Sequence, residues 1–120
     1  MASFKVPLKI DQGSDFSKLS TWKTGTPAVP VDLTGCTAEA HVRPSISSDT
    51  KLLVLTTANG GIVLGGLDGT IEIVITAAQT EGSKWRSGVY DLEITFPSGR
   101  KRRLMSGSVS LSPEGTRDDA

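Results

Sequence analysis

The sequence predicts an all-β chain folded as a single antiparallel β-sandwich with one short helical turn. Three observations carry that prediction. Apolar residues alternate with polar ones in several separate runs, clusters of Gly, Pro, Asn and Asp punctuate the chain roughly every eight to fifteen residues, and helical periodicity is nearly absent. At 120 residues, with no block of different composition, the chain is expected to form one domain that buries about two-thirds of its unfolded surface.

Taken in order, Phe4, Val6, Leu8 and Ile10 alternate along a first strand, and Pro7, which cannot donate to a ladder, places that strand at a sheet edge. Phe16, Leu19 and Trp22 lie in an apolar, strand-like segment that ends before the Gly25-Thr26-Pro27 turn. Asp32-Leu33-Thr34-Gly35 reads as a second turn: Asp32 or Thr34 bonds a nearby backbone N–H, Leu33 plugs the core edge, and Gly35 permits the reversal. Ala38, Ala40 and Val42 then alternate with Thr37, Glu39, His41 and Arg43. After Pro44 and its serines, Leu52 to Leu55 is a continuous apolar run, the pattern of a strand covered on both faces. Asn59-Gly60-Gly61 and Gly65-Gly66 flank a short strand from Ile62 to Leu64, and Asp68-Gly69 leads into the alternation of Ile71, Ile73 and Ile75. Only Ala77 to Lys84 looks helical, and Gly82 limits it to one or two turns. Tyr90, Leu92, Ile94 and Phe96 alternate with Asp91, Glu93 and Thr95, and Pro97-Ser98-Gly99 joins this strand to one starting near Lys101 as a tight hairpin. The sandwich is expected to span residues 1–113, Ig-like or jelly-roll-like in topology, with 114–120 as a polar tail.

Composition narrows the chemistry. Thirteen Lys and Arg balance thirteen Asp and Glu, so the chain lacks the long-range field with which a non-specific nucleic-acid or anionic-membrane binder gathers its partner. Neither nucleic acid nor membrane is expected as a partner. A single Cys36 cannot form an internal disulfide, and no apolar run near the start is long enough for a signal-peptide core. With one His and one Cys, zinc sites and thiol–imidazole pairs have no material. No catalytic residue, metal ligand or cofactor is assigned, and no enzymatic activity is expected.

Arg100-Lys101-Arg102-Arg103 is the one dense charge run. It reads either as a contact for phosphate, acidic glycan or an acidic protein surface, or as a solvated hairpin arm whose charges offset Asp91 and Glu93 across the ladder. Trp22 reads as core, while Trp85, at a loop-to-sheet junction, reads equally as packing or as a contact residue. His41 alternates outward from Ala40 and Val42. The candidate partner-binding residues are therefore Arg100, Lys101, Arg102, Arg103 and Trp85, with Glu114 and Arg117 in the tail.

Several segments, in order, are familiar: Gln12-Gly13-Ser14-Asp15-Phe16, Val31-Asp32-Leu33-Thr34-Gly35, Val42-Arg43, Gly69-Thr70-Ile71-Glu72-Ile73, Thr76-Ala77-Ala78-Gln79-Thr80, Gly88-Val89-Tyr90-Asp91-Leu92-Glu93, and Gly107 to Ser112 leading into Pro113-Glu114. Over nearly its whole length the chain resembles a group of small tailed-bacteriophage virion structural proteins, with a β-sandwich like the N-terminal domain of upper-baseplate proteins. The resemblance implies a non-enzymatic, multi-copy virion component. It would be made in the bacterial cytoplasm and would contact other virion proteins in the viral tail, baseplate or fibre-attachment region, or decorate the capsid. The competing expectation is a carbohydrate-binding module for a host surface polysaccharide, which requires Trp85 or Trp22 exposed beside a shallow polar groove.

Overall fold

The structure, a computed structural model, describes residues 4–113. Alternation is realised almost strand by strand. Among these residues, β1 (Phe4–Lys5), β2 (Leu8–Asp11), β6 (Thr37–Arg43), β7 (Leu53–Thr56), β10 (Ser87–Thr95) and β11 (Lys101–Ser112) form one sheet, in the order β1-β11-β10-β6-β7 with β2 also on β11. The facing sheet is β3 (Phe16–Thr21), β9 (Thr70–Ile75) and β8 (Ile62–Leu64), in the order β3-β9-β8. A small hairpin, β4 (Lys23–Thr24) with β5 (Val29–Pro30), projects between β3 and β6. The pairing is antiparallel except at one edge, where β1 and β2 run parallel to β11. The two sheets close an Ig-like β-sandwich, and one helical turn, α1 (Ala77–Thr80), links β9 to β10.

The core is what period two dictates. Ile71, Ile73 and Ile75 from the small sheet meet Ala40, Val42, Leu92 and Ile94 from the large one, each at most 1 % exposed. Two expectations fail. Leu52–Leu55 is not covered on both faces: Val54 is 38 % exposed, because β7 is an edge strand with only its inner face against the core. Leu19 is also exposed, because β3 turns it outward, opposite Glu72.

Each edge is blunted in its own way. β1 and β2 keep a common register on β11 but are interrupted at Pro7, which contributes no N–H. On β7 the Asn59 side chain takes the place of a strand: its Oδ1 accepts from Thr56 N–H (2.9 Å) and its Nδ2 donates to the Val54 carbonyl (3.0 Å). β3 places Lys18 on its core-facing side, opposite Ile73, and β8 has only three residues.

The break at Pro7 also serves the interior. Gly107 stands opposite Tyr90, and a Cβ on it would lie 2.6 Å from the Val6 carbonyl oxygen. The edge strand therefore settles into the space a side chain would fill, and the buried Tyr90 hydroxyl donates to that carbonyl at 2.6 Å. Burial pushes the Tyr90 phenol well above its ordinary range. Tyr90→Phe should cost about 1–2 kcal/mol, the net worth of a buried hydrogen bond whose acceptor is left unpaired. Urea unfolding at unchanged m-value measures it.

Candidate interaction surface at the hairpin end

Consecutive residues of a regular strand point to opposite faces, so a run of four cations should divide two and two. The β10–β11 ladder changes this. Leu92 pairs with Met105 and Glu93 with Arg103, so Leu104 is an extra, bulged residue. On the hairpin side of the bulge Arg102 and Leu104 face inward; beyond it Met105, Gly107, Val109 and Leu111 do so. The four cations of the run therefore do not share one face. Lys101 and Arg103 lie on the outer face and Arg100 in the exposed turn, whereas half-buried Arg102 turns inward.

Arg102 stacks its guanidinium over the Trp22 ring, 5.3 Å from the centroid. Trp22 is 4 % exposed and packs at a tilt against Phe96, with ring centroids 6.2 Å apart. Main-chain bonds fix this end of the sandwich. Trp22 N–H donates to the Gly69 carbonyl (2.8 Å), Val31 N–H to the Trp22 carbonyl (2.9 Å) and Leu33 N–H to the Gly66 carbonyl (2.9 Å). Asp32 Oδ1 accepts from Thr34 N–H at 2.9 Å, as the turn reading requires. Hydrogen bonds from Thr34, side chain first and then backbone, hold the Asp32 carboxyl below its usual range. Burial, with the nearby Asp32 charge, pushes half-buried Cys36 up.

On the outer face, Lys101 Nζ lies 3.9 Å from Glu93 Oε1, and Arg103 Nη1 lies 3.9 Å from Asp91 Oδ2. These are the cross-strand charge offsets expected of the hairpin; long and solvated, they contribute little energy. Sequence reading missed their neighbours. Glu39 stands directly opposite Glu93, a like-charge pair, and His41 moderates it. His41 Nδ1 accepts from Arg43 Nη2 (3.2 Å), which leaves the Nε2 hydrogen to donate to Glu39 Oε2 at 2.6 Å. Three outward positions on one strand, at spacing two, were the available signal. Among the described residues no group of three or more His, Cys, Asp or Glu is placed to hold a metal ion.

Trp85 lies apart from this surface. It precedes β10, whose nine residues separate it from the hairpin by about 26 Å, and it packs half-buried against the core. Trp22, buried under Arg102, has no ring face to offer a sugar. Glu114 and Arg117 lie outside the described residues.

No family model matches the sequence, and no curated protein matches it. Among solved structures, the chain is similar in path to one from a study of multimeric cell-adhesive interactions of voltage-gated sodium channel β subunits, with 12% identity, 93% of each chain covered and a TM-score of 0.46. It is also similar to a chain in the complex of ICOS with ICOS-L and an anti-ICOS-L VNAR domain, at 13% identity and a TM-score of 0.48, covering 93% of this chain and 56% of that one. A third is Drosophila OTK extracellular domains 3–5, at 12% identity and a TM-score of 0.37, covering 88% and 32%. This chain thus spans just over half of the ICOS-complex chain and a third of the OTK one.

Proposed function

We propose that this chain is a non-enzymatic structural protein of a bacteriophage virion, present in multiple copies, acting in the tail, baseplate or fibre-attachment region or on the capsid. Support comes from the ordered segments that resemble small tailed-phage virion proteins over nearly the whole chain. The observation that carries the mechanism is the β10–β11 hairpin, where Arg100, Lys101 and Arg103 stand in solvent on a rigid two-strand support. Because the edges of the two facing sheets are blunted among the described residues, neighbours would meet this module through faces and turns, and matching of charged surfaces sets register and partner choice.

Converting Arg100, Lys101 and Arg103 to Ser while keeping Arg102 should leave the domain folded. The exposed pairs at 3.9 Å are together worth no more than about 1 kcal/mol. Incorporation into purified particles, quantified by mass spectrometry of separated heads and tails, should fall several-fold. Normal incorporation of this variant would remove the hairpin from the mechanism, and the protein's absence from both fractions would sink the virion reading.

A further inference from the structure

At the β10–β11 turn is a half-open cavity of about 490 Å³ lined by Phe96, Ser98, Arg100, Lys101 and Arg102. Three of these five residues are cations and none is acidic. Only Lys101 has a carboxylate within 4 Å, at 3.9 Å; among the described residues Arg100 and Arg102 make no ion pair. Arg102 is the organised member. Its guanidinium carbon lies over the Trp22 ring, 5.3 Å from the centroid, and a ring face offsets the charge while leaving N–H donors for another partner. The result is a half-buried guanidinium that shares its cavity with that of Arg100, a pair of donors suited to carboxylates.

A chain of zero formal charge that gathers uncompensated cations at one end carries the matching acid elsewhere. Residues 114–120 contain Glu114, Asp118 and Asp119 against one Arg117. They follow β11, whose twelve residues carry the chain about 36 Å from the cavity. Seven residues span at most about 25 Å. Arg102 stands ten residues before Ser112, about 33 Å away, so the carboxylates of 114–120 meet their own copy's Arg102 only with the backbone and both side chains at full stretch, whereas the same site on another copy carries no such constraint.

We propose that the Arg100–Arg102 cavity binds the acidic residues 114–120 of a second copy in a head-to-tail contact. The inference rests on the multi-copy assembly reading above and names the occupant of the same hairpin. Such a contact is heterologous, so it builds a ring or a filament, according to whether the rotation closes.

The test titrates a synthetic peptide of residues 112–120 into the dilute full-length protein, followed by calorimetry and by the Trp22 indole NMR signal. Binding is expected, weakening with added salt. It should fall about tenfold or more with Asp118→Asn and Asp119→Asn in the peptide, or with Arg102→Gln in the protein. Arg100→Ser, at an exposed turn position, gives the same direction in a variant whose folding is not at issue. Failure of the peptide to bind, equal binding of the Asn peptide, or equal binding of a scrambled peptide of the same charge would overturn the proposal. If the peptide fails while the Arg100, Lys101 and Arg103 variant still loses incorporation, the occupant is wrong and the assembly reading stands. If the peptide binds and the protein is absent from particles, the contact stands and the virion reading falls.

Discussion

Trp22→Ala is expected to lower the unfolding free energy by about 3–5 kcal/mol, the range for truncating a buried large aromatic. The loss is concentrated where the sandwich closes. Trp22 lies under Arg102 and beside Phe96, so truncation removes apolar burial and an aromatic contact, and takes away the support of a half-buried guanidinium. Against a typical domain stability of about 5–15 kcal/mol, the variant should fold marginally at 37 °C. Denaturant unfolding by far-UV circular dichroism measures the change. Trp85→Ala is the internal control: half-buried at the other end of β10, it should cost clearly less. Equal losses for the two would contradict the deeper burial of Trp22.

Gly69→Ala should cost about 3 kcal/mol or more through two mechanisms that add. Gly69 has φ +68°, and a Cβ there would lie 2.7 Å from the Trp22 carbonyl oxygen and 2.9 Å from the Val31 nitrogen. The first is a backbone penalty of about 1–2 kcal/mol for a residue with a side chain. The second is an overlap with main chain, which cannot move aside as a side-chain tip would. Gly60→Ala separates the two effects: φ is +82°, yet nothing lies within 4 Å of the added atom, so it should show the backbone penalty alone. Thermal unfolding of the two variants side by side gives the difference.

The sandwich was legible because its strands alternate strictly. Ile71, Ile73 and Ile75, Tyr90, Leu92 and Ile94, and Ala38, Ala40 and Val42 each mark an inward face, and every one is buried. Pro7 marked an edge and Pro97-Ser98-Gly99 a hairpin for equally local reasons, Gly99 taking φ +91°. What escaped the sequence was relational. That β7 has a neighbour on one side only is a property of sheet order, invisible in the run Leu52–Leu55. The Glu39–Glu93 opposition depends on register across two strands fifty residues apart. Asn59 looked like a turn residue and is one, yet its side chain also completes the β7 edge. Inward Arg102 had a faint signal: Leu104 and Met105 are adjacent apolar residues in an otherwise alternating strand, the trace that a bulge leaves.

That bulge has a consequence for how the protein can vary through descent. It behaves like a reading frame, with even-numbered residues facing the core before Leu104 and odd-numbered ones after it. Losing one residue from the strand would bring Lys101 and Arg103 onto Trp22 and expel Arg102, burying two charges with no partner. Substitution at the outward positions disturbs nothing beneath them, and the turn at 97–99 can lengthen freely. Relatives that keep this fold should therefore diversify their hairpins by exchanging outward charges and turn residues, while the count of residues from 101 to 105 stays constant.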